Sequence, residues 1–153
     1  MPTIQEGPDA GSVSMTNTSL AKDYFRRATI RYKALLTLEK EGGYADAVRE
    51  AQELVELALK GYLRHLGIEP PRWHDVSPIL VEQKEMHSAP VLEALPRICT
   101  LSKHLRKERE LAFYGEEDYI PSENYSAEEA HKAIADCRWL LDLLAPHIEG
   151  AAK

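Results

Sequence analysis

The sequence predicts an all-α protein, an up-and-down four-helix bundle with an additional short helix. Apolar residues recur every three or four positions through four long segments, which is the spacing of an amphipathic helix. The connections between these segments are short, and short connections favour antiparallel neighbours in a bundle. A chain of 153 residues with 44% hydrophobic residues can bury one core, so a single domain is expected.

The two ends of the chain bound this domain. Residues 1–18 are rich in Gly, Pro, Ser and Thr and lack apolar periodicity, which predicts a disordered leader before a bundle domain at residues 19–149. Met15 lies inside this leader and is a candidate natural start. The sequence shows neither a signal-peptide pattern nor an apolar run of membrane-spanning length. We therefore expect a cytoplasmic protein without a membrane partner.

The first two helices are predicted at residues 19 to about 40 and at residues 47–66. A Gly-Gly pair ends the first helix, and Gly67 caps the second. The second helix has the longest apolar stripe, with Leu59 near its centre. An aspartate at position 59 is expected to unfold the domain, because it would bury an unpaired carboxylate.

Capping patterns place the later helices. Ser77, as an N-cap followed by Pro78, predicts a short helix, and the pair of His74 and Asp75 before it predicts a hydrogen-bonded cap. A fourth helix is predicted at residues 91–113. A loop follows, and then Ser126 forms a capping box that begins the last helix.

The composition of the chain narrows the range of ligands and cofactors that the protein is expected to bind. A net charge of -6 argues against broad, sequence-independent attraction to nucleic acid, although it is compatible with a local basic groove. Cys99 and Cys137 are far apart and lack the spacing of zinc ligands, so both are predicted to be buried as small hydrophobic residues. Trp139 is predicted to lie in the core. The sequence has no glycine-rich phosphate loop and no metal-ligand pattern, so neither a cofactor nor a metal is expected.

The densest basic segment lies near the end of the fourth helix and contains Lys103, His104, Arg106, Lys107 and Arg109. Lys103, Arg106 and Lys107 share a helix face and could form a phosphate-contacting strip. The alternative is a solvated face with cations placed favourably near a helix C-terminus. His104 falls on a different face from Arg109 and is predicted to be a surface or interface histidine.

Arg109 and Tyr114 end this segment, directly before Gly115. Five positions on a regular helix rotate the two side chains well apart, but Gly115 would tolerate an unwinding between them. Arg109 either holds a phosphate with two parallel hydrogen bonds or pairs with neighbouring glutamates. Tyr114 either donates a hydrogen bond to a ligand and stacks on a base, or packs as an aromatic anchor.

Two segments resemble the HEPN family, YADAVREAQELVELALKGYLRHLGIEPPRWHD and RKERELAFYGEEDYIP, and the resemblance extends over about residues 19–148. Many members are RNA-cleaving toxins with an arginine and a histidine at the place of the second segment. The resemblance implies the HEPN bundle, catalytic positions at Arg109 and Tyr114, and RNA or nucleotide binding by Lys103, Arg106, Lys107 and Arg109. In this chain Tyr114 stands in place of the histidine.

The same resemblance implies a homodimer in which two copies form one groove, and a minimal nucleotidyltransferase as partner. In related pairs the partner can transfer a nucleotide to a tyrosine, here Tyr114 first and Tyr119 second. The expected function is a nucleotide- or RNA-binding component of a toxin-antitoxin type pair. The alternatives are an active metal-independent ribonuclease and a noncatalytic helical assembly module. Because a phenol titrates near pH ~10, Tyr114 is a weak base at neutral pH.

Overall fold

The structure is a computed structural model. It describes the backbone of residues 10–72, 75–114 and 120–149, and the side chains of residues 17–72, 75–104 and 120–149. The secondary structure within these ranges is helical throughout, which confirms the predicted all-α class. The elements are α1 (Ala10–Lys40), α2 (Tyr44–His65), α3 (Ser77–Glu82), a 3-10 helix (Lys84–Met86), α4 (Ala89–Tyr114), α5 (Pro121–Asn124) and α6 (Ala127–Ile148).

The four long helices run alternately up and down. At one end of the bundle, His131 near the start of α6 lies 2.6 Å from Glu39 near the end of α1. At the other end, His147 near the end of α6 contacts the ring of Tyr62 on α2 and lies 2.7 Å from Ser88, just before α4. The start of α4 therefore meets the ends of α2 and α6.

Helix α2 is the centre of the bundle and packs against α1, α4 and α6. Leu59 is fully buried, which confirms the predicted inward face of this helix. Gly61 lets α1 approach closely, because a Cβ there would lie 3.0 Å from Cβ of Tyr24 and 3.3 Å from the carbonyl oxygen of Ala21. Gly67 ends the turn after α2 with a φ of +83°, a conformation that favours glycine.

Several boundaries differ from the sequence prediction. Helix α1 begins at Ala10 rather than at Ser19, so it includes the second half of the expected leader, whose first nine residues lie outside the described ranges. Ser77 is the first residue of α3 and not its N-cap, because Oδ1 of Asp75 accepts its backbone N–H at 3.0 Å. The N-cap of α3 is Val76, which makes no side-chain capping bond, and Asp75 of the predicted His-Asp cap instead holds the first residue of the helix.

The sequence predicts α6 with its capping box but does not predict α5. The capping box of α6 is confirmed, since Ser126 accepts the backbone N–H of Glu129 and Glu129 accepts that of Ser126. Helix α5 was not predicted, although Pro121 at its first position carries a backbone angle suited to a helix start. The bundle therefore has more short helical elements than the single one expected.

The cysteine and tryptophan predictions are partly confirmed. Cys137 is fully buried as predicted, whereas Cys99 is only half-buried. Trp139 packs against the rim of the core, and the guanidinium of Arg97 lies 3.8 Å from the centre of its indole ring. Among the residues that the structure describes, no helix is long and apolar enough to cross a membrane.

Candidate functional site

The C-terminal part of α4, residues 103–114, lies at the end of the bundle where α2 and α6 begin. We call this the motif end, and we call the opposite end, where α2 and α6 finish, the histidine end. Val48 of α2, His104 of α4 and Glu129 of α6 line one cleft at the motif end. Three helices that are distant in the sequence therefore meet beside the predicted site.

Helix α4 continues without interruption to Tyr114. An unwinding between Arg109 and Tyr114 is therefore absent, and on a regular helix the two positions are about 140° apart around the axis. The side chains of residues 105–119 lie outside those described, and so does the backbone of Tyr119. The contacts predicted for Arg106, Lys107, Arg109 and Tyr114 consequently stay predictions.

The helix register separates the predicted residues into two groups. The position of Arg109 follows that of buried Ile98 by eleven residues, or about 20° on the helical wheel, so the two backbone positions lie on one line of α4. The positions of Lys107 and Tyr114 instead follow that of exposed Lys103. A single α4 thus places the arginine and the tyrosine of the predicted site on different faces.

Lys103 is the one predicted phosphate-binding residue whose side chain is described. Its ammonium donates a hydrogen bond to Oγ of Ser77 at 3.2 Å. Oδ1 of Asp75 accepts hydrogen bonds from the hydroxyls of Ser77, at 2.7 Å, and Ser102, at 2.9 Å. These bonds connect the loop before α3 to α4, directly before the basic segment.

Asp75 is ionised at the centre of this network. Its partial burial by itself opposes ionisation, but the hydrogen bonds from Ser77 and Ser102 and the nearby charge of Lys103 outweigh it and lower the pKa of the Asp75 carboxyl. Both serine side chains are buried, so the carboxylate also satisfies hydroxyls that are shielded from water. The network gives the start of the basic segment a fixed attachment.

The cleft at the motif end has a volume of about 80 Å³. His104 lies on its rim, which agrees with the prediction of a surface histidine and adds a specific place for it. The sequence analysis did not identify Lys132 as part of a site, because Lys132 lies on the exposed side of α6, far from the basic segment in sequence. The lining residues are Val48, His104, Tyr125, Glu129, Lys132, Ala133 and Asp136.

The acids that line the cleft already have partners. Asp136 accepts one hydrogen bond from Lys132, at 3.0 Å, and another from Arg97, at 3.3 Å. Glu129 is held by the capping box at the start of α6. Lys132 is 76% exposed, so its ammonium can leave Asp136 at little cost, and Arg97 would still neutralise that carboxylate.

A buried amide lies on α2 close to the cleft. Gln52 follows Val48 by one helical turn on the same face, is fully buried, and makes no hydrogen bond through either side-chain polar atom. A buried amide without a partner costs roughly 1–3 kcal/mol. The helical region next to the cleft is therefore not optimised for stability alone.

The histidine end has a different composition. The carbonyl of Leu80 can only accept, so Nε2 of His87 donates to it at 2.8 Å, and in the tautomer with its proton on Nε2 the Nδ1 of His87 accepts from the hydroxyl of Tyr62 at 2.8 Å. Burial raises the pKa of Tyr62 to about 12. Burial, and then the proximity of His147, lower the pKa of His65. In the described ranges, no three His, Cys, Asp or Glu side chains are arranged to hold a metal ion.

Fold and charge together define the class: a helical bundle with a basic helix segment in its sequence and a cleft at the same end. The family model of the HEPN domain matches residues 21–147. The chain therefore belongs to the HEPN domain family, a class of helical domains related to nucleotides and RNA. Comparison with curated proteins and with solved structures found no significant match in either set.

Proposed function

We propose that this HEPN domain binds RNA or a nucleotide at the motif end and acts as one component of a toxin-antitoxin type pair. The observation that carries the proposal is the convergence of the cleft, the buried amide of Gln52 and the C-terminal part of α4 at one end of the bundle. Arg109 is the proposed phosphate ligand, since a guanidinium can make two parallel hydrogen bonds to phosphate.

The register of α4 supports this role for Arg109. Its position continues the line of Ile98 past the buried part of the bundle, toward the starts of α2 and α6. Helix starts carry partial positive charge, which favours a bound anion. Lys103 and Lys107, whose positions share another line of α4, would contact a phosphate chain that leaves the cleft.

A homodimer would reunite the two separated positions of the site. Because Arg109 and Tyr114 lie about 140° apart on one regular helix, a ligand that contacts both needs α4 from two chains. A two-fold axis beside α4 would bring the arginine of one copy to the tyrosine of the other. We expect this dimer at micromolar concentration, and a monomer by light scattering would contradict it.

The position of Tyr114, on the same line of α4 as exposed Lys103, also fits modification by a partner enzyme. A minimal nucleotidyltransferase would use the Tyr114 hydroxyl to attack the α-phosphorus of a nucleoside triphosphate, form a phosphodiester and release pyrophosphate. Tyr119 is the second candidate acceptor. The added phosphate would lie on the same line of α4 as Lys103 and Lys107, and it would compete with RNA for those cations.

The alternative is an active metal-independent ribonuclease, in which Tyr114 replaces the histidine of the cleaving members. The specific observation in its favour is His104 on the rim of the cleft, because it offers an imidazole near the basic segment. Against it stands the helix register, which places His104 and Arg109 about 140° apart in one chain. A noncatalytic assembly module is the third function, and it predicts no RNA binding.

The test measures binding and cleavage of a labelled single-stranded RNA, without metal, by the parent protein, Arg109→Ala and Tyr114→His. We expect the parent to bind without rapid cleavage, and Arg109→Ala to bind about tenfold more weakly because a charge-assisted contact is lost. Tyr114→His should create or raise cleavage, because imidazole titrates near neutral pH.

Arg138→Ala is the matched control for Arg109→Ala. Arg138 is exposed and pairs with Asp142 on the same helix, so its loss should leave RNA binding unchanged. Equal weakening by both variants would indicate general charge attraction and contradict a site at Arg109. Efficient cleavage by the parent that survives Arg109→Ala would overturn the proposed groove.

A further inference from the structure

The outward face of α1 carries a straight row of cations. Lys22, Arg26, Lys33 and Lys40 are all exposed, and successive members are four, seven and seven residues apart. On an α-helix these positions fall within about 40° of one another and extend over about 27 Å. None of the four side chains forms an ion pair with another described residue. We call this set the α1 cationic row.

Apolar side chains accompany the row on both sides. Ile30 is 51% exposed and Leu36 is 43% exposed, and the helical wheel places them on opposite flanks of the cations. The N-terminal half of the row opens onto a shallow groove of about 560 Å³ between α1 and the end of α6. The groove is lined by Lys22, Arg26, Thr29, Ile30, Lys33 and Glu149.

We propose that the α1 cationic row docks an acidic amphipathic helix of a partner protein. Arg26, Lys33 and Lys40 recur at every seventh residue, or about every 10.5 Å, which is the repeat of a helix packed alongside α1. A partner helix with an acidic residue at every seventh position would face each of these cations in turn. Its apolar residues would cover Ile30 and Leu36.

Other occupants fit this face less well. A second copy of the chain in the same orientation would bring like charges together. RNA would gain nothing from Ile30 and Leu36, and the face presents no exposed aromatic side chain on which a base could stack. A membrane surface would need the apolar side of α1, but Phe25 and Leu35 on that side are buried in the bundle.

The row is separate from the site at the motif end. It follows the length of α1, and its groove lies near the end of α6, where Glu149 is the one acid in the lining. A helix docked there would leave the cleft with His104 and Lys132 open. Binding of the partner helix and binding of RNA can therefore be tested independently on the same protein.

The experiment uses the full chain and two labelled helical peptides of three heptads, about 21 residues each. One peptide carries Glu at every seventh position with Leu three and four residues later, and the other has the same composition in scrambled order. Fluorescence anisotropy should give at least about tenfold tighter binding for the ordered peptide. Chemical-shift changes should map to α1.

Charge reversal identifies the surface. The triple variant Lys22→Glu, Arg26→Glu, Lys33→Glu should no longer bind the ordered peptide. It should instead bind a version of that peptide in which Lys replaces each Glu. The control is Lys84→Glu, Arg138→Glu, which changes exposed cations elsewhere and should retain binding. If the triple variant does not melt cooperatively, Lys33→Glu alone is used, with Lys33→Gln giving an intermediate loss.

Three outcomes would overturn the proposal. The first is equal affinity for the ordered and scrambled peptides, which would indicate charge attraction without register. The second is that reversing the charges of the row abolishes binding to single-stranded RNA or to anionic phosphatidylserine vesicles, but not binding to the peptide. The third is failure of the Lys-containing peptide to bind the folded triple variant.

Discussion

The two ends of the bundle are built differently. At the histidine end, Tyr62 and His87 form hydrogen bonds to each other and to backbone within a largely buried contact. At the motif end, Asp75 holds Ser102 and Ser77 through charge-assisted bonds, and an open cleft is lined by His104, two residues further along α4. The histidine end satisfies Tyr62 and His87 but leaves Nδ1 of His147 buried without a hydrogen-bond partner among the described residues, whereas the motif end has polar side chains at the surface of an open cleft.

This difference separates the roles of the ends. Hydrogen bonds between buried groups stabilise a fold, but they leave few polar groups free to bind a ligand. The cleft is lined by an exposed lysine and a histidine, and the buried amide of Gln52 lies one helical turn beyond its residue Val48 on α2. We therefore assign ligand binding to the motif end, and substitutions at each end can measure how much its hydrogen bonds contribute to stability.

The largest loss of stability is expected from a substitution at Leu59, which belongs to the core that both ends share. Leu59→Asp buries an unpaired carboxylate on α2 and should abolish cooperative unfolding, because the cost of several kcal/mol is comparable to the stability of a domain. Circular dichroism melts measure it. Leu92→Asp is the control, since Leu92 is 45% exposed. Cooperative melting of Leu59→Asp near the parent temperature would mean that the buried face of α2 is misassigned.

A smaller loss is expected at Asp75. Asp75→Ala removes the acceptor for Ser77 and Ser102 and should lower the free energy of unfolding by about 2–3 kcal/mol. Asp142→Ala, at an exposed ion pair, should change it by less than about 0.5 kcal/mol. Denaturant titrations give both values, and similar small losses in the two variants would remove Asp75 as the attachment of the motif end.

The pH dependence of this loss has a definite sign. The pKa of Asp75 is lowered in the folded protein, so its contribution is present above its unfolded pKa of about 4 and disappears as pH falls through the folded value. The stability difference between the parent and Asp75→Asn should therefore shrink below pH ~4. A difference that stays constant into acid would show that ionisation of Asp75 is not the cause.

The smallest effect is expected at the histidine end. Tyr62→Phe leaves Nδ1 of His87 without its donor and should cost about 1 kcal/mol, while Tyr44→Phe, at a partly exposed ring, should cost less. Because the pKa of Tyr62 is raised to about 12, its unfolded form ionises first, and stability should fall between pH 10 and 12. Tyr62→Phe should reduce that fall, and an unchanged alkaline slope would contradict the assignment.

The candidate site shows which features can be predicted from neighbouring residues in the sequence and which cannot. The basic segment from Lys103 to Arg109 could be identified from its charges, and its helix from the apolar stripe of α4. The cleft could not, because Val48, His104 and Lys132 come from three helices and share no local pattern. The end of α4 was also open to two outcomes, since Gly115 permits an unwinding but does not require it.

The sequence by itself determined the helical class, the buried face of α2 and the capping of α6, because hydrophobic spacing and capping residues act within a few positions along the chain. Its two diagnostic segments also indicated the HEPN family. Only the tertiary structure decided that α4 stays helical to Tyr114 and that Lys132 meets His104 at one end. Both depend on packing between helices, whose contribution is set by distant residues rather than by local propensity.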